Sequence, residues 1–202
     1  MIRKGLIMKI QLFGLFLALL LLCPGAVSAQ NAGPYVELTT SKGKIVLELN
    51  AQAAPKSTAN FLQYVESGHY DGTIFHRVIQ NFMIQGGGMD EKMKERPTKA
   101  PIANEAKNGL KNDRYTVAMA RTNDPHSATG QFFINTKDND FLNHTAETSQ
   151  GWGYAVFGKV VSGQNVVDEI AKVKTGRLGG HENVPVVPVY IEKAAVLKDY
   201  KK

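Results

Sequence analysis

Cysteine is almost absent from these 202 residues: Cys23 is the only one. A single thiol excludes a disulfide framework and any cysteine-rich zinc module. There is no Gly-x-Ser-x-Gly elbow either, so neither a serine nor a cysteine nucleophile has support. The five histidines, His69, His76, His126, His144 and His181, never pair at i+3 or i+4. A metal site would therefore have to gather ligands from distant loops. Strand–helix–strand alternation is missing, which argues against a doubly wound parallel sheet. No linker divides the chain, no solenoid period repeats in it, and the charged stretch 92–99 is too short to separate domains. What remains is ordinary globular composition, 43% hydrophobic and 21% charged with 19 Gly and 8 Pro. Wholesale disorder, collagen-like repeats and a polytopic membrane protein are excluded.

The start of the chain reads as a secretory signal occupying residues 1–29. Arg3, Lys4 and Lys9 supply a positive beginning, residues 12–23 an apolar run, and Pro24-Gly25 a break. Val27-Ser28-Ala29 offers small residues for cleavage before Gln30. Crossing a bilayer takes about 20 apolar residues, so no stable anchor is expected after cleavage, and the bulky Leu22 argues against lipidation of Cys23. Cleavage removes three cations and no acid from a formal charge of +6. The remaining surplus is spread along the chain, which gives no support to a nucleic-acid partner. The domain would span residues 30–202, free of cysteine and stabilised by its core alone.

Within that domain, Val36, Leu38, Ile45, Leu47 and Leu49 alternate with polar residues about Thr40-Ser41-Lys42-Gly43, which predicts a hairpin with one buried face. Pro55 opens a helical pattern carried by Phe61, Leu62 and Val65 and stopped by Gly68. Strands are expected at 74–78, 82–85, 115–120, 131–135 and 154–161. Val166, Val167, Ile170 and Val173 predict a second short helix, and residues 184–197 a closing strand whose prolines suggest an edge or bulge. Many short strands with two helices point to an antiparallel barrel or sandwich with the helices packed on it.

Two stretches invite chemistry. Gln85-Gly86-Gly87-Gly88 lacks the Gly-Lys-Ser/Thr ending of a phosphate loop, and Met89-Asp90-Glu91 would repel an anion. A backbone that needs positive φ explains the glycines better. In the segment 75–87, strand alternation places Phe75, Arg77 and Ile79 on one face, with His76 on the other. A turn at Gln80-Asn81 then restarts the register, bringing Phe82, Met83 and Gln85 toward Arg77. Composition alone reads these equally as an exposed strand arginine over core Phe and Met.

The same segment closely resembles the signature of the cyclophilin family of peptidyl-prolyl isomerases. Further blocks follow in the family's order: Met119-Ala120-Arg121-Thr122, then Ser127 to Asn135 with Gly130-Gln131-Phe132-Phe133-Ile134, then Phe141-Leu142 and Val156-Phe157-Gly158-Lys159-Val160. The likeness runs from Val36 to Leu197. With the signal segment, Phe141 and Tyr154 make it most similar to bacterial periplasmic members. The resemblance implies a mainly β fold, a closed eight-stranded antiparallel β-barrel capped by two α-helices, with an active groove on its outer face.

The implied activity is cis-trans isomerisation of X-Pro bonds in unfolded or extended polypeptides being folded after export. The place would be the periplasm, or the exterior if the protein is secreted. No cofactor or metal is implied, because the reaction is rotation about a bond. Arg77 is the implied catalytic residue. Phe82, Met83, Phe133 and Leu142 would line a socket for the proline ring, and Gln85 would bond the substrate backbone. Gln131 lies beside the socket, and Ala120 and Arg121 hold the peptide through their main chain rather than the Arg121 side chain. Tyr154 stands where many members have histidine and keeps a packing wall. Phe141 stands where many have tryptophan, so an indole donor that contributes to cyclosporin binding is lost and weak binding of the drug is expected. Trp152 is read as pinning its loop. A proline-peptide binding chaperone with incidental isomerase activity is the alternative. A monomer is expected, since a closed barrel leaves no edge to pair.

Overall fold

The computed structural model describes residues 33–200; the predicted signal segment and its cleavage site lie outside the described residues. The predicted hairpin is formed by β1 (Tyr35–Thr40) and β2 (Gly43–Leu49). Its register sets Val36 opposite Leu47 and Leu38 opposite Ile45, so the apolar face is continuous across both strands. Helix α1 (Pro55–Glu66) begins at its proline without a side-chain cap of its own. The carboxylate of Glu105 takes that place from far along the chain, accepting the N–H groups of Lys56 and Ser57 at 3.0 and 2.8 Å. A negative group suits the positive end of a helix. Phe61 drops from α1 into the interior, its ring 5.1–5.3 Å from those of Tyr70, Phe132 and Phe157.

The expected strand 74–78 is two strands, β3 (Thr73–Ile74) and β4 (Arg77–Ile79), broken at Phe75-His76. The chain continues through β5 (Met83–Gly86), β6 (Thr116–Met119), β7 (Phe132–Asn135), β8 (Val156–Ser162) and α2 (Gln164–Ile170). Val173 lies past the end of α2 but still packs on the core. The closing strand expected at 184–197 is also divided. A separate hairpin of β9 (Thr175–Leu178) and β10 (His181–Pro185) precedes β11 (Tyr190–Leu197). Pro185 and Pro188 have no N–H to donate to a ladder, which is why one strand cannot run through them.

Nine strands form one antiparallel sheet in the order β3-β11-β1-β2-β8-β6-β7-β5-β4. The two end strands, β3 and β4, are consecutive in the chain. The curled sheet therefore returns on itself through the covalent link at Phe75-His76, with no hydrogen-bonded seam there. The fold class is the expected one, a mainly β antiparallel barrel-like sheet with two helices, here with nine strands in the sheet. The interior is filled by Val36, Leu38, Phe61, Phe75, Ile84, Val117, Phe132, Ile134 and Phe157 among others. Helix α1 packs against β11 and β8, and α2 against β2. Among the described residues no helix is long and apolar enough to cross a membrane.

Candidate active site

Side chains alternate across a sheet, and here both faces are apolar in one region. Ile84, Val117, Phe132 and Ile134 point inward, while their neighbours Met83, Ala118 and Phe133 belong to a second cluster on the outer face with Leu142 and Val156. Ile79, Phe82, Leu110, Ala120 and Tyr154 are half-buried against it. Strand register fixes the layout. Arg77 is opposite Gln85, Gln85 opposite Phe133, Phe133 opposite Ala118, and Ala118 opposite Val156. One row, with strands about 4.8 Å apart, thus runs from a guanidinium through an amide to an aromatic floor. Met83 sits in the next row, opposite Ile79.

Irregular segments raise the walls. Phe82 stands in the turn after β4, where Asn81 takes φ 57 and the Phe82 N–H bonds the Ile79 carbonyl at 3.2 Å. Leu142 belongs to the short turn Asp140–Leu142. The Tyr154 N–H donates to the Leu142 carbonyl at 2.9 Å, and the Tyr154 ring meets Phe133 edge-on at 5.6 Å. Phe141 is 74% exposed and stacks on Phe82 with ring centres 5.6 Å apart.

A chain of polar side chains forms the rim. Arg77 Nη1 donates to Gln85 Oε1 at 3.4 Å, and Gln85 Nε2 donates to Gln131 Oε1 at 2.9 Å. Gln131 Nε2 reaches Glu95 Oε1 at 3.5 Å. The glycines make room for this arrangement. Gly87 has the expected positive φ of 84°, but Gly86 and Gly88 do not, and close approach explains them instead. A Cβ on Gly88 would lie 2.4 Å from Gln131 Cγ, and one on Gly86 would lie 3.0 Å from the Phe75 ring.

Phe75 does not share a face with Arg77. It is buried in the interior, because the break at Phe75-His76 resets the alternation. His76 is buried too, and its Nδ1 has no hydrogen-bond partner among the described residues. Burial pushes its imidazole down to about 4, with the neighbouring His181 and Arg77 acting in the same direction. The Arg121 side chain, expected to matter less than its main chain, is fully engaged. It donates to the carbonyls of Gly153, Thr122 and Ser149. The Ala120 N–H is used within the protein, bonded to the Gln131 carbonyl at 3.0 Å. Trp152 lies between the rings of His126 and His144.

Three residues that the sequence left among loop and strand-end polar residues hold the walls in place. Asn112, Asn135 and Asn139 are all buried. Asn139 Nδ2 donates to the Phe82 carbonyl at 2.9 Å and to Asn135 Oδ1 at 2.7 Å. Asn135 Nδ2 donates to Asn112 Oδ1 at 3.2 Å, and Asn112 Nδ2 reaches the Leu142 and Tyr154 carbonyls at 3.2 and 3.3 Å. The main chains behind Phe82, Leu142 and Tyr154 are thereby tied into one network. Among the described residues no three His, Cys, Asp or Glu side chains converge as metal ligands.

The fold is a curled antiparallel sheet bearing an outer apolar cluster edged by an arginine and two glutamines. Known proteins share the fold. The family of cyclophilin type peptidyl-prolyl cis-trans isomerase/CLD matches residues 35–196. A peptidyl-prolyl cis-trans isomerase, cyp18, of Streptomyces antibioticus is 69% identical over 162 residues, covering 80% of this chain and 98% of that protein. Peptidyl-prolyl cis-trans isomerase B of Escherichia coli strain K12 is 56% identical over 161 residues, covering 80% and 98%. A cyclophilin type isomerase of Cryptosporidium parvum, crystallised in the presence of the dipeptide Ala-Pro, superposes with a TM-score of 0.67 at 26% identity, covering 82% of this chain and 99% of that one. The chain belongs to the cyclophilin-type peptidyl-prolyl cis-trans isomerase family.

Proposed function

We infer that this protein catalyses rotation about X-Pro peptide bonds at the outer apolar cluster. The observation that carries this is the cross-strand pair of Arg77 and Gln85 at the edge of a cluster floored by Met83 and Phe133. The X-Pro amide rotates slowly because resonance makes its C–N bond partly double, with a barrier of roughly 18–20 kcal/mol. Twisting the amide breaks that resonance and returns a lone pair to the prolyl nitrogen. A catalyst works by binding this twisted form better than either planar form. Arg77 donates a hydrogen bond to the developing lone pair, and its charge strengthens that bond.

The proline ring rests on Phe133 and Met83 between Phe82, Leu142 and Tyr154. Gln85, already oriented by Gln131, orients Arg77 and is in reach of the substrate backbone. The main chain at Ala120 and Arg121 lies beside Gln131 and holds the peptide extended. One side of the bond stays fixed while the other turns, and no covalent bond forms or breaks. The relative crystallised in the presence of Ala-Pro supports a proline-containing peptide as the occupant.

The signal-like residues 1–29 support work outside the cytoplasm, in the periplasm or beyond it, on newly exported chains. The sheet's end strands span only two and three residues, which supports a monomer, and Phe141 supports weak cyclosporin binding. The deciding experiment is a protease-coupled assay on an X-Pro peptide, comparing residues 30–202 with the Arg77→Ala variant. Fast turnover that collapses in the variant is expected; turnover equal to that of the variant would refute the reading.

A further inference from the structure

We propose that Arg121 is a positioning residue for this reaction: its guanidinium fixes the Tyr154 wall of the outer cluster and so sets the grip on the substrate's proline ring. The proposal rests on the isomerase reading above and assigns the side chain that builds one side of its socket.

The guanidinium is committed along all its edges. Nε donates to the Gly153 carbonyl at 2.9 Å, Nη1 to the Thr122 carbonyl at 2.8 Å and Nη2 to the Ser149 carbonyl at 3.2 Å. Its face lies over the Tyr154 ring, with Cζ 4.6 Å from the ring centre. Tyr154 in turn packs edge-on against Phe133. Arg121, Tyr154 and Phe133 therefore form a continuous stack from a loop clamp to the socket floor. Among the described residues no carboxylate pairs with Arg121, so the planar fork acts through carbonyls and an aromatic face rather than as half of an ion pair.

The segment that is clamped needs it. Residues 143–153 carry no helix or strand, and their course is narrow at the end that leads into Tyr154. Gly153 takes φ +71, and a Cβ there would lie 2.6 Å from the Leu142 carbonyl oxygen. The Gly153 carbonyl accepts a second bond from Asn104 Nδ2 at 3.1 Å. The main chain of Tyr154 is thus held by Leu142 and the peptide before it, while its ring packs on the outer cluster with Arg121 over its face and Phe133 meeting it edge-on. A lysine offers a single compact charge. It cannot serve three carbonyls and also lie flat on a ring.

The test combines kinetics with the emission of Trp152, the chain's one tryptophan, which sits in the clamped loop. Arg121→Lys and Arg121→Ala are compared with the parent on an X-Pro peptide. Each is expected to raise KM about fivefold with kcat within about twofold, the loss of one stacked and hydrogen-bonded support. Lysine is not expected to rescue. Trp152 emission should shift to the red in both variants. In a Tyr154→Leu background, Arg121→Ala should add little to KM, because the stack is already gone. Parent-like KM and emission in Arg121→Ala, full rescue by lysine, or strictly additive effects with Tyr154→Leu would each overturn the proposal. Should Arg121→Ala fail to fold, Arg121→Lys supplies the same comparison. An inactive parent would instead overturn the isomerase reading itself, a result distinct from an active parent whose Arg121 variants are unaltered.

Discussion

Arg77 and Gln85 face each other across the β4–β5 pair, with Nη1 3.4 Å from Oε1, and Gln85 is itself fixed by Gln131. Among the described residues this is the guanidinium's one hydrogen bond, so most of its donors remain for substrate. A charged hydrogen bond contributes about 1.5–3 kcal/mol, which at about 1.4 kcal/mol per decade corresponds to roughly 10- to 100-fold in rate. Arg77→Ala should lower kcat by that factor while changing KM little, as read from the protease-coupled assay. A raised KM with kcat intact would show that Arg77 only holds the peptide.

Gly88 tests the rim from the backbone side. Its φ is not positive, so alanine there is permitted by the main chain but collides with Gln131 Cγ at 2.4 Å. Gly88→Ala should push Gln131 away from Gln85 and raise KM about threefold or more, the scale of one neutral hydrogen bond. Gln131→Ala should restore room for the new methyl, so the double variant should be no worse than Gln131→Ala alone.

The buried asparagines predict a linked loss of stability and binding. Asn139→Ala removes the donor to the Phe82 carbonyl and to Asn135 Oδ1. Leaving buried acceptors unpaired costs about 1–3 kcal/mol each. Denaturant unfolding should show a loss of about 2–6 kcal/mol, and KM should rise because Phe82 loses its fixed turn. Unchanged unfolding would mean that water replaces the amide.

His76 makes stability depend on pH. Its unfolded imidazole takes up a proton near 6.5, whereas the folded one resists until about 4. Stability is therefore full above the unfolded value and declines as pH falls through the window between the two. The total loss is about 3 kcal/mol, since each tenfold difference in proton affinity between the folded and unfolded imidazole is worth roughly 1.4 kcal/mol. His76→Gln should flatten this slope when unfolding free energies at about pH 7.5 and about pH 4.5, on either side of most of that window, are compared. An identical slope in the variant would assign the effect to other groups.

Phe141 is the most exposed of the aromatic rings around the cluster, stacked on Phe82. Phe141→Trp keeps that stack and adds an indole N–H donor. Cyclosporin binding, measured by calorimetry, should tighten about tenfold, the scale of one added hydrogen bond. Parent-like affinity in the variant would show that an indole donor at this position does not set the affinity for the drug.

Local spacing was enough to define the β1–β2 hairpin and the buried face of α1, since these depend on neighbours two to four residues apart; the family was legible separately, from motif blocks that resemble its signature and follow in its order. A turn at Gln80-Asn81, also read from the sequence, brought Phe82, Met83 and Gln85 toward Arg77. What local spacing could not show was every feature that depends on partners far along the chain. The interior position of Phe75 follows from a break where β3 and β4 leave for opposite ends of the sheet. The Glu105 cap on α1 comes from a residue nearly fifty positions later. The asparagine network and the Arg121 clamp join segments with no shared local pattern, and a buried asparagine looks in sequence like any loop asparagine. Local spacing determined the first hairpin, the two helices and the side-chain alternation within each unbroken strand. Only the folded chain decided which polar groups, once removed from water, found one another and became the supports of the site.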